Sequence, residues 1–459
     1  MTIAQRKPRD AMLGEEKIGR LLIKLSVPST VGMLVHAMYN FVDTIFIGRG
    51  VGAEGIGGLI IAFPFQMLII GMAGVIGIGG SSMVSRNLGS GDRDKASRTA
   101  GNAFVMAIIL GICTTVIGLT FLNPLLRLFG ATEVLIGHSR DYLSIILYGS
   151  LFITFSMVAN NIVRSEGRAM VAMGTMLLGT AINLILDPIF IFGLDMGMQG
   201  AAYATIIAQF ISALALFLFF ITGKSTLELH ARHLIMKSAI AKEIIAVGIP
   251  SFVRQAGGSI VMVIINNMLG KYGGDIFISC FGIINRFFMV IFMSIFGIVQ
   301  GLQPIVGYNF GARHMDRVKE ALKLSIIIAT LLCTLVFFVL LVFPAQMIGI
   351  FTNDPELIEI GISSVRLVIL AMPFVGFQII AASFFQAIGK PKPALLLGMS
   401  RQIILLIPLV IILPVYFGAH GVFLAFPIAD LLAVILTLIW FTKEVKNLGG
   451  YQRSKIPKK

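Results

Sequence analysis

The stretch LSVPSTVGMLVHAMYNFVDTIFI, residues 25–47, decides how the rest of the chain is read. It is apolar over a length that crosses the roughly 30 Å hydrocarbon core of a bilayer as a helix, yet it carries an acid, Asp43, and a proline, Pro28. Its opening Pro28-Ser29 returns as Pro250-Ser251, an offset of 222 residues. Other pairs keep that offset: Gly48-Arg49 with Gly270-Lys271, Gly52 with Gly274, Gly79 with Gly301, and Asn87 and Gly89 with Asn309 and Gly311. Phe129 with Phe351 and Gly167 with Gly389 follow, and beyond the fifth apolar run the offset becomes 221, pairing Gly197 and Gly200 with Gly418 and Gly421. A match that runs the length of both halves marks an internal duplication.

Composition agrees. The chain has 459 residues, 57% hydrophobic and only 13% charged, with a mean hydropathy of +0.94. Soluble proteins run at about 45–50% apolar and about 25% charged. These values exclude a soluble enzyme, a disordered chain and a nucleic-acid binder. The fold class is an all-α polytopic membrane protein. Twelve spans are expected, over 25–47, 58–85, 99–121, 140–163, 171–193, 200–221, 244–269, 277–307, 321–343, 362–387, 394–416 and 421–442. The net charge of +14 sits between the apolar runs, where it sets orientation. With both termini on one side, 28 Lys and Arg fall there, while the other side holds only Arg49, Arg127, Arg140 and Lys271. By the positive-inside rule both termini are cytoplasmic, which requires an even number of spans.

Six spans per repeat is even, so the second copy enters the membrane in the same sense as the first. Two six-helix bundles related by a pseudo-twofold axis along the membrane normal follow, as in parallel-repeat transporters. The expected organisation is a cytoplasmic N-terminal segment 1–24, an N-lobe 25–221, a basic cytoplasmic linker 222–243, a C-lobe 244–442 and a cytoplasmic tail 443–459. The cysteines Cys113, Cys280 and Cys333 lie inside apolar runs and read as small core residues, with no disulfide frame or metal spacing. No phosphate loop, catalytic triad or metal constellation is present, and the glycine run 71–80 lies within a span rather than after a strand. An ATP-driven pump and an enzyme have no support, and no cofactor is expected.

Buried charge costs roughly 2.5–3.5 kcal/mol at the centre of a span, so acids there point to function. Three are well inside: Asp43, Asp187 and Asp430. Asp43 shares a face of the first span with Tyr39, Asn40 and His36, at spacings of four, three and seven. Asp187 lies one turn beyond Asn183, and Pro188 after it removes a backbone donor and frees a carbonyl. Tyr142 and Asn160 are five turns apart on one face of the fourth span. Thr205 and Gln209 are one turn apart on the sixth. Two carboxylates with amide and hydroxyl oxygens accept a proton or ligate a bare hard cation such as sodium. Asp430 occupies the repeat position of Gln209 and reads as half of an ion pair with Arg286 or, failing that, Arg401. Arg254, Arg366 and Arg401 read as snorkelling side chains.

The ordered segments 39–48 (YNFVDTIFIG), 87–92 (NLGSGD), 161–168 (NIVRSEGR), 183–188 (NLILDP) and 306–312 (VGYNFGA) resemble those of multidrug and toxic compound extrusion (MATE) transporters, the DNA-damage-inducible-F-like prokaryotic branch in particular. The resemblance covers about residues 20–445. It implies twelve helices in two lobes and export of organic compounds driven by inward flow of protons or sodium ions. From archaeal-type members it implies a cation site at Asp43, Tyr142, Asn160, Asn183, Asp187 and Thr205, with sodium, if that is the ion, at Asp43, Asp187 and Asn183. Another branch uses acids of spans seven and ten. Here those spans offer Gln255, Asn266 and Asn267, and Arg366 and Gln378, with no acid, so coupling falls to the N-lobe.

The expectation is therefore a cation-coupled antiporter of a prokaryotic cytoplasmic (inner) membrane, a monomer, exporting cationic or amphipathic small organic molecules. Tyr39, Asn40, His36, Gln209, Arg286 and Asp430 are the candidate substrate-cleft residues. The alternatives are a flippase for lipids or lipid-linked oligosaccharides of the same superfamily, which Arg286 keeps open, and a membrane scaffold or receptor.

Overall fold

The computed structural model describes residues 11–453. Every regular element among them is helical. Ten helices are long and apolar enough to cross a membrane, and the pair Ile136–Tyr148 and Ser150–Ser165, bent by 55°, supplies an eleventh span. The helical run Ser238–Gly311 counts as two. Its 74 residues would reach about 110 Å as one helix, several times the bilayer core. The break falls at Gly274, with φ 71° and ψ −171°. Twelve spans result, and each expected span falls inside one of these helices to within a residue.

The duplication is written into the backbone as well as the sequence. Gly52, which separates Ile18–Gly50 from Ala53–Gly89, has φ 90° and ψ −164°, the counterpart of Gly274. Gly167 and Gly389 have φ 79° and 75°, and Gly197 and Gly418 have φ 53° and 58°. These are left-handed or extended-positive conformations that a Cβ resists, so glycine recurs where the hairpin between two spans needs it. Gly91 has φ 81° and its counterpart is Arg313, at φ 63°, one of two non-glycine residues with positive φ among those described.

The chain divides into two compact units. The first comprises Val27–Gly248 and the described part of Met1–Glu15, the second Glu16–Ser26 and Ile249–Lys459 as far as it is described. This differs from the expected lobes at two places. The segment 222–243, expected as a basic cytoplasmic linker between the lobes, is folded onto the first unit. Ser225 and Thr226 hydroxyls donate to Glu166 at 2.8 and 2.6 Å, the Thr226 amide donates to it at 2.7 Å, and the Lys237 amide donates to Asn102 Oδ1 at 2.7 Å. Glu166 is 1% exposed. Burial lifts its carboxyl above the usual range, against the pull of these donors.

The other difference is the start of the first span. Glu16–Ser26 belongs to the second unit, where Arg317 donates to the Glu16 carbonyl at 2.7 Å and Ser26 Oγ donates to the Ile298 carbonyl at 3.5 Å. A Cβ on Gly301 would collide with Ser26. In the first unit the repeat-related contact is made by 244–248. A Cβ on Gly79 would fall on the Ile244 carbonyl, and one on Gly248 on that of Val75. Small residues thus let backbones touch at equivalent crossings. Pro28 and Pro250 each stand two residues past these segments.

Candidate functional site

The first unit gathers polar side chains from five of its six spans. Its core of Ile47, Phe65, Ile69, Leu143, Ile146 and Ile191 is apolar, so each polar group within it must find a partner or serve a ligand. Asn183 and Asp187 are one turn apart on the fifth span, and Asn183 Nδ2 donates to Asp187 Oδ1 at 3.2 Å. Immediately after Asp187, Pro188 removes a backbone donor. The helix then relaxes into a π-turn over Ile189–Gly193, closed by the Leu194 amide on the Ile189 carbonyl at 2.9 Å. Gly50 lets the end of the first span approach Ile191 and Phe192 of that turn, and Phe46 meets Phe192 edge to face at 6.2 Å. This packing sets Asp43 opposite Asp187, with their carboxyl groups in hydrogen-bonding reach of each other. Asp43 is 5% exposed and Asp187 fully buried.

A ring of hydroxyls adjoins the carboxyls. Gln66 Nε2, from the second span, donates to the Tyr142 phenol at 3.1 Å. Thr205 gives its proton to the Ala201 carbonyl at 3.0 Å, leaving its lone pairs for the phenols of Tyr39 and Tyr142, both of which it meets. Tyr39 is one turn before Asp43 on the same helix face.

Three buried oxygens in this chamber have no hydrogen-bond donor: Asp43 Oδ1, Asp187 Oδ2 and Asn183 Oδ1. Two facing carboxylates are both acceptors, so neither satisfies the other. An acceptor-only set in an apolar surround fits a proton or a hard cation, either of which supplies the missing positive charge. Among the described residues no group of three or more His, Cys, Asp or Glu could hold a metal ion, so amide and hydroxyl oxygens would complete any sodium shell.

The structure brings together Asp43, Asp187, Asn183, Tyr142 and Thr205, with Tyr39 beside them. It places Asn160 elsewhere: its amide donates to the Ala172 carbonyl at 2.9 Å and Thr175 Oγ1 at 3.3 Å. Thr175 is about 12 Å along the fifth span from Asn183. Sequence reasoning missed Gln66, a single amide in an apolar run, whose only signal is that isolation. Gln209 is half-buried one turn beyond Thr205. The side chains of His36 and Asn40 lie outside the described set.

In the second unit, Arg286 is exposed and lies over the Phe351 ring at 5.5 Å. It is not the partner of Asp430. That partner is Arg401, whose Nε and Nη2 reach both carboxylate oxygens, the second at 3.3 Å. Arg401 therefore does not snorkel. Spans eleven and twelve are chain neighbours packed side by side, and that proximity decides the pairing.

Two repeated six-span halves, with a buried carboxylate pair in the first, define a membrane transporter rather than an enzyme. The sequence pattern of the MatE family matches residues 28–189 and again 250–412, once in each half. The chain belongs to this family of multidrug and toxic compound extrusion transporters. It is similar to the multidrug export protein MepA of Staphylococcus haemolyticus, at 26% identity over 92% of this chain and 93% of that one. MepA of Staphylococcus aureus is 25% identical over 92% of each chain. A structure of the MATE multidrug transporter DinF-BH in complex with R6G is 45% identical, with a TM-score of 0.87 over 95% of this chain and 97% of that one. A crystal structure of MATE in the bent conformation is 28% identical, with a TM-score of 0.92 over 97% and 99%.

Proposed function

We infer that the protein is a cation-coupled antiporter that exports small organic, cationic or amphipathic compounds, with Asp43 and Asp187 as the coupling pair. The carrying observation is the chamber of three donor-less buried oxygens between the first and fifth spans. An inbound proton or sodium ion binds between the carboxyls and cancels their charge. Asn183 holds Asp187 in place, while Tyr39, Tyr142, Thr205 and Gln66 line the approach. Neutralised, the first span repacks against the fifth and the outward-open state loses substrate. The ion and the substrate must favour different states of the protein, or neither shifts the other. The DinF-BH relative bound to R6G supports an organic cargo. The multi-pass chain sits in the cytoplasmic membrane with both termini inside, in keeping with its loop charges, and works as a monomer.

The test is efflux of ethidium from proteoliposomes with proton and sodium gradients imposed separately. One gradient drives efflux in the native protein, and neither drives it in Asp43→Asn or Asp187→Asn. Efflux at the native rate in both variants would refute the assignment of the pair.

A further inference from the structure

The second unit contains a cavity of about 240 Å³ that the coupling pair does not touch. Packed interiors hold few voids larger than one water, and this one approaches the smallest volumes of small-molecule sites, about 300 Å³. Its walls include the rings of Phe281, Phe288, Phe292 and Phe426, and its polar lining is Arg401, Gln402, Asp430 and the exposed Asn285. The charges there are spent on each other: Arg401 binds Asp430 through two nitrogens and lies over the Phe292 ring at 5.4 Å. Gln402 is different. Its Oε1 is buried with no donor in reach. Arg401 and Gln402 both sit on a π-helical turn, Ser400–Leu406, in the eleventh span, a distortion that recurs at functional sites.

A chamber of four aromatic rings with one buried, unanswered acceptor selects its occupant. A lipid tail fills the volume but leaves Gln402 Oε1 unpaired. A free anion has no open cation to meet. An aromatic molecule carrying an N–H donor answers both features, its ring packing edge to face among the phenylalanines. We propose that this cavity is a second ligand site, in the C-terminal unit, for a small two-ring aromatic amine that donates its N–H to Gln402 Oε1. It is independent of the Asp43–Asp187 pair, so its failure leaves the coupling assignment standing.

The test is equilibrium binding of 1-aminonaphthalene and of naphthalene to the full-length protein in nanodiscs, with empty nanodiscs subtracted. The native protein is expected to show one saturable site, with 1-aminonaphthalene about fivefold tighter than naphthalene, the ratio one neutral hydrogen bond supplies. Gln402→Leu removes that ratio by weakening the amine alone. Gly258→Leu removes both ligands, because a Cβ there meets only Gln402 Nε2, at 3.5 Å, and the side chain grows into the cavity without a backbone collision; a native-like melting curve checks that this variant folds. No saturable binding to the native protein, or an unchanged amine-to-hydrocarbon ratio in Gln402→Leu, overturns the proposal.

Discussion

Replacing Asp43 by asparagine should make the protein more stable while stopping transport. Asp43 Oδ1 and Asp187 Oδ2 are buried acceptors without donors. The Asp43→Asn amide points an N–H₂ at Asp187 and removes one of two like charges. A hydrogen bond to a charged group contributes about 1.5–3 kcal/mol. Wherever both carboxyls are ionised, the substitution also relieves like-charge repulsion, up to about 4 kcal/mol for a pair some 4 Å apart at an effective dielectric of 20. Against these stands the burial of the new amide, which has more hydrogen-bonding positions than this site fills, at about 1–3 kcal/mol. At mid-range values the balance is a net gain of about 2 kcal/mol, seen as a rise of a few degrees in the melting temperature of the purified protein at pH 7. Asp43→Ala, which offers no donor, should gain less than Asp43→Asn. Ethidium efflux is lost in both, since neither takes up the inbound cation. A melting temperature for Asp43→Asn below native, or equal in the two variants, would show that the carboxyls do not face each other as donor-less acceptors.

Three further outcomes are expected. Arg401→Met leaves Asp430 as an uncompensated buried charge and destabilises the fold by about 3–5 kcal/mol, whereas the double change Arg401→Met with Asp430→Leu is close to neutral; thermal unfolding of both variants measures this. Arg313→Gly, at φ 63° where the other half has Gly91, stabilises by about 0.5–1 kcal/mol, the left-handed strain of a side chain less the extra chain entropy of glycine, and a melting-temperature increase checks it. Glu166 carries a raised folded-state carboxyl value because it is buried, so its contribution to stability is complete at acid pH and is lost as pH rises through that value. Glu166→Gln should abolish this dependence, read from hydrogen exchange at the Thr226 and Leu227 amides between pH 4 and 7.

The chain belongs to a family whose structures include a complex with R6G. What this chain adds is an asymmetry between duplicated halves. The position of Asp430 is Gln209 in the first half, and the carboxylate pair of the first half has no counterpart in the second. The duplication built one scaffold twice. The two copies differ in their charges: one holds uncompensated acids, the other a closed Arg401–Asp430 pair beside an aromatic chamber.

The sequence alone determined the twelve spans, the duplication and the turn positions. Membrane helices must be long and apolar, and hairpins with positive φ select glycine, so both constraints are local and leave their mark at fixed positions such as Gly52 and Gly274. It also singled out Asp43 and Asp187, because an acid in an apolar run is costly wherever it points. Tertiary structure decided what these residues meet. Helical periodicity defines a face of one span but not which span lies opposite, so the approach of Asp43 to Asp187, the entry of Gln66, the removal of Asn160 to Thr175 and the choice of Arg401 over Arg286 all waited on packing. The same holds for 222–243: its polarity marks a segment outside the membrane, while its hydrogen bonds to Glu166 and Asn102, made across more than fifty residues, tie it to the first unit.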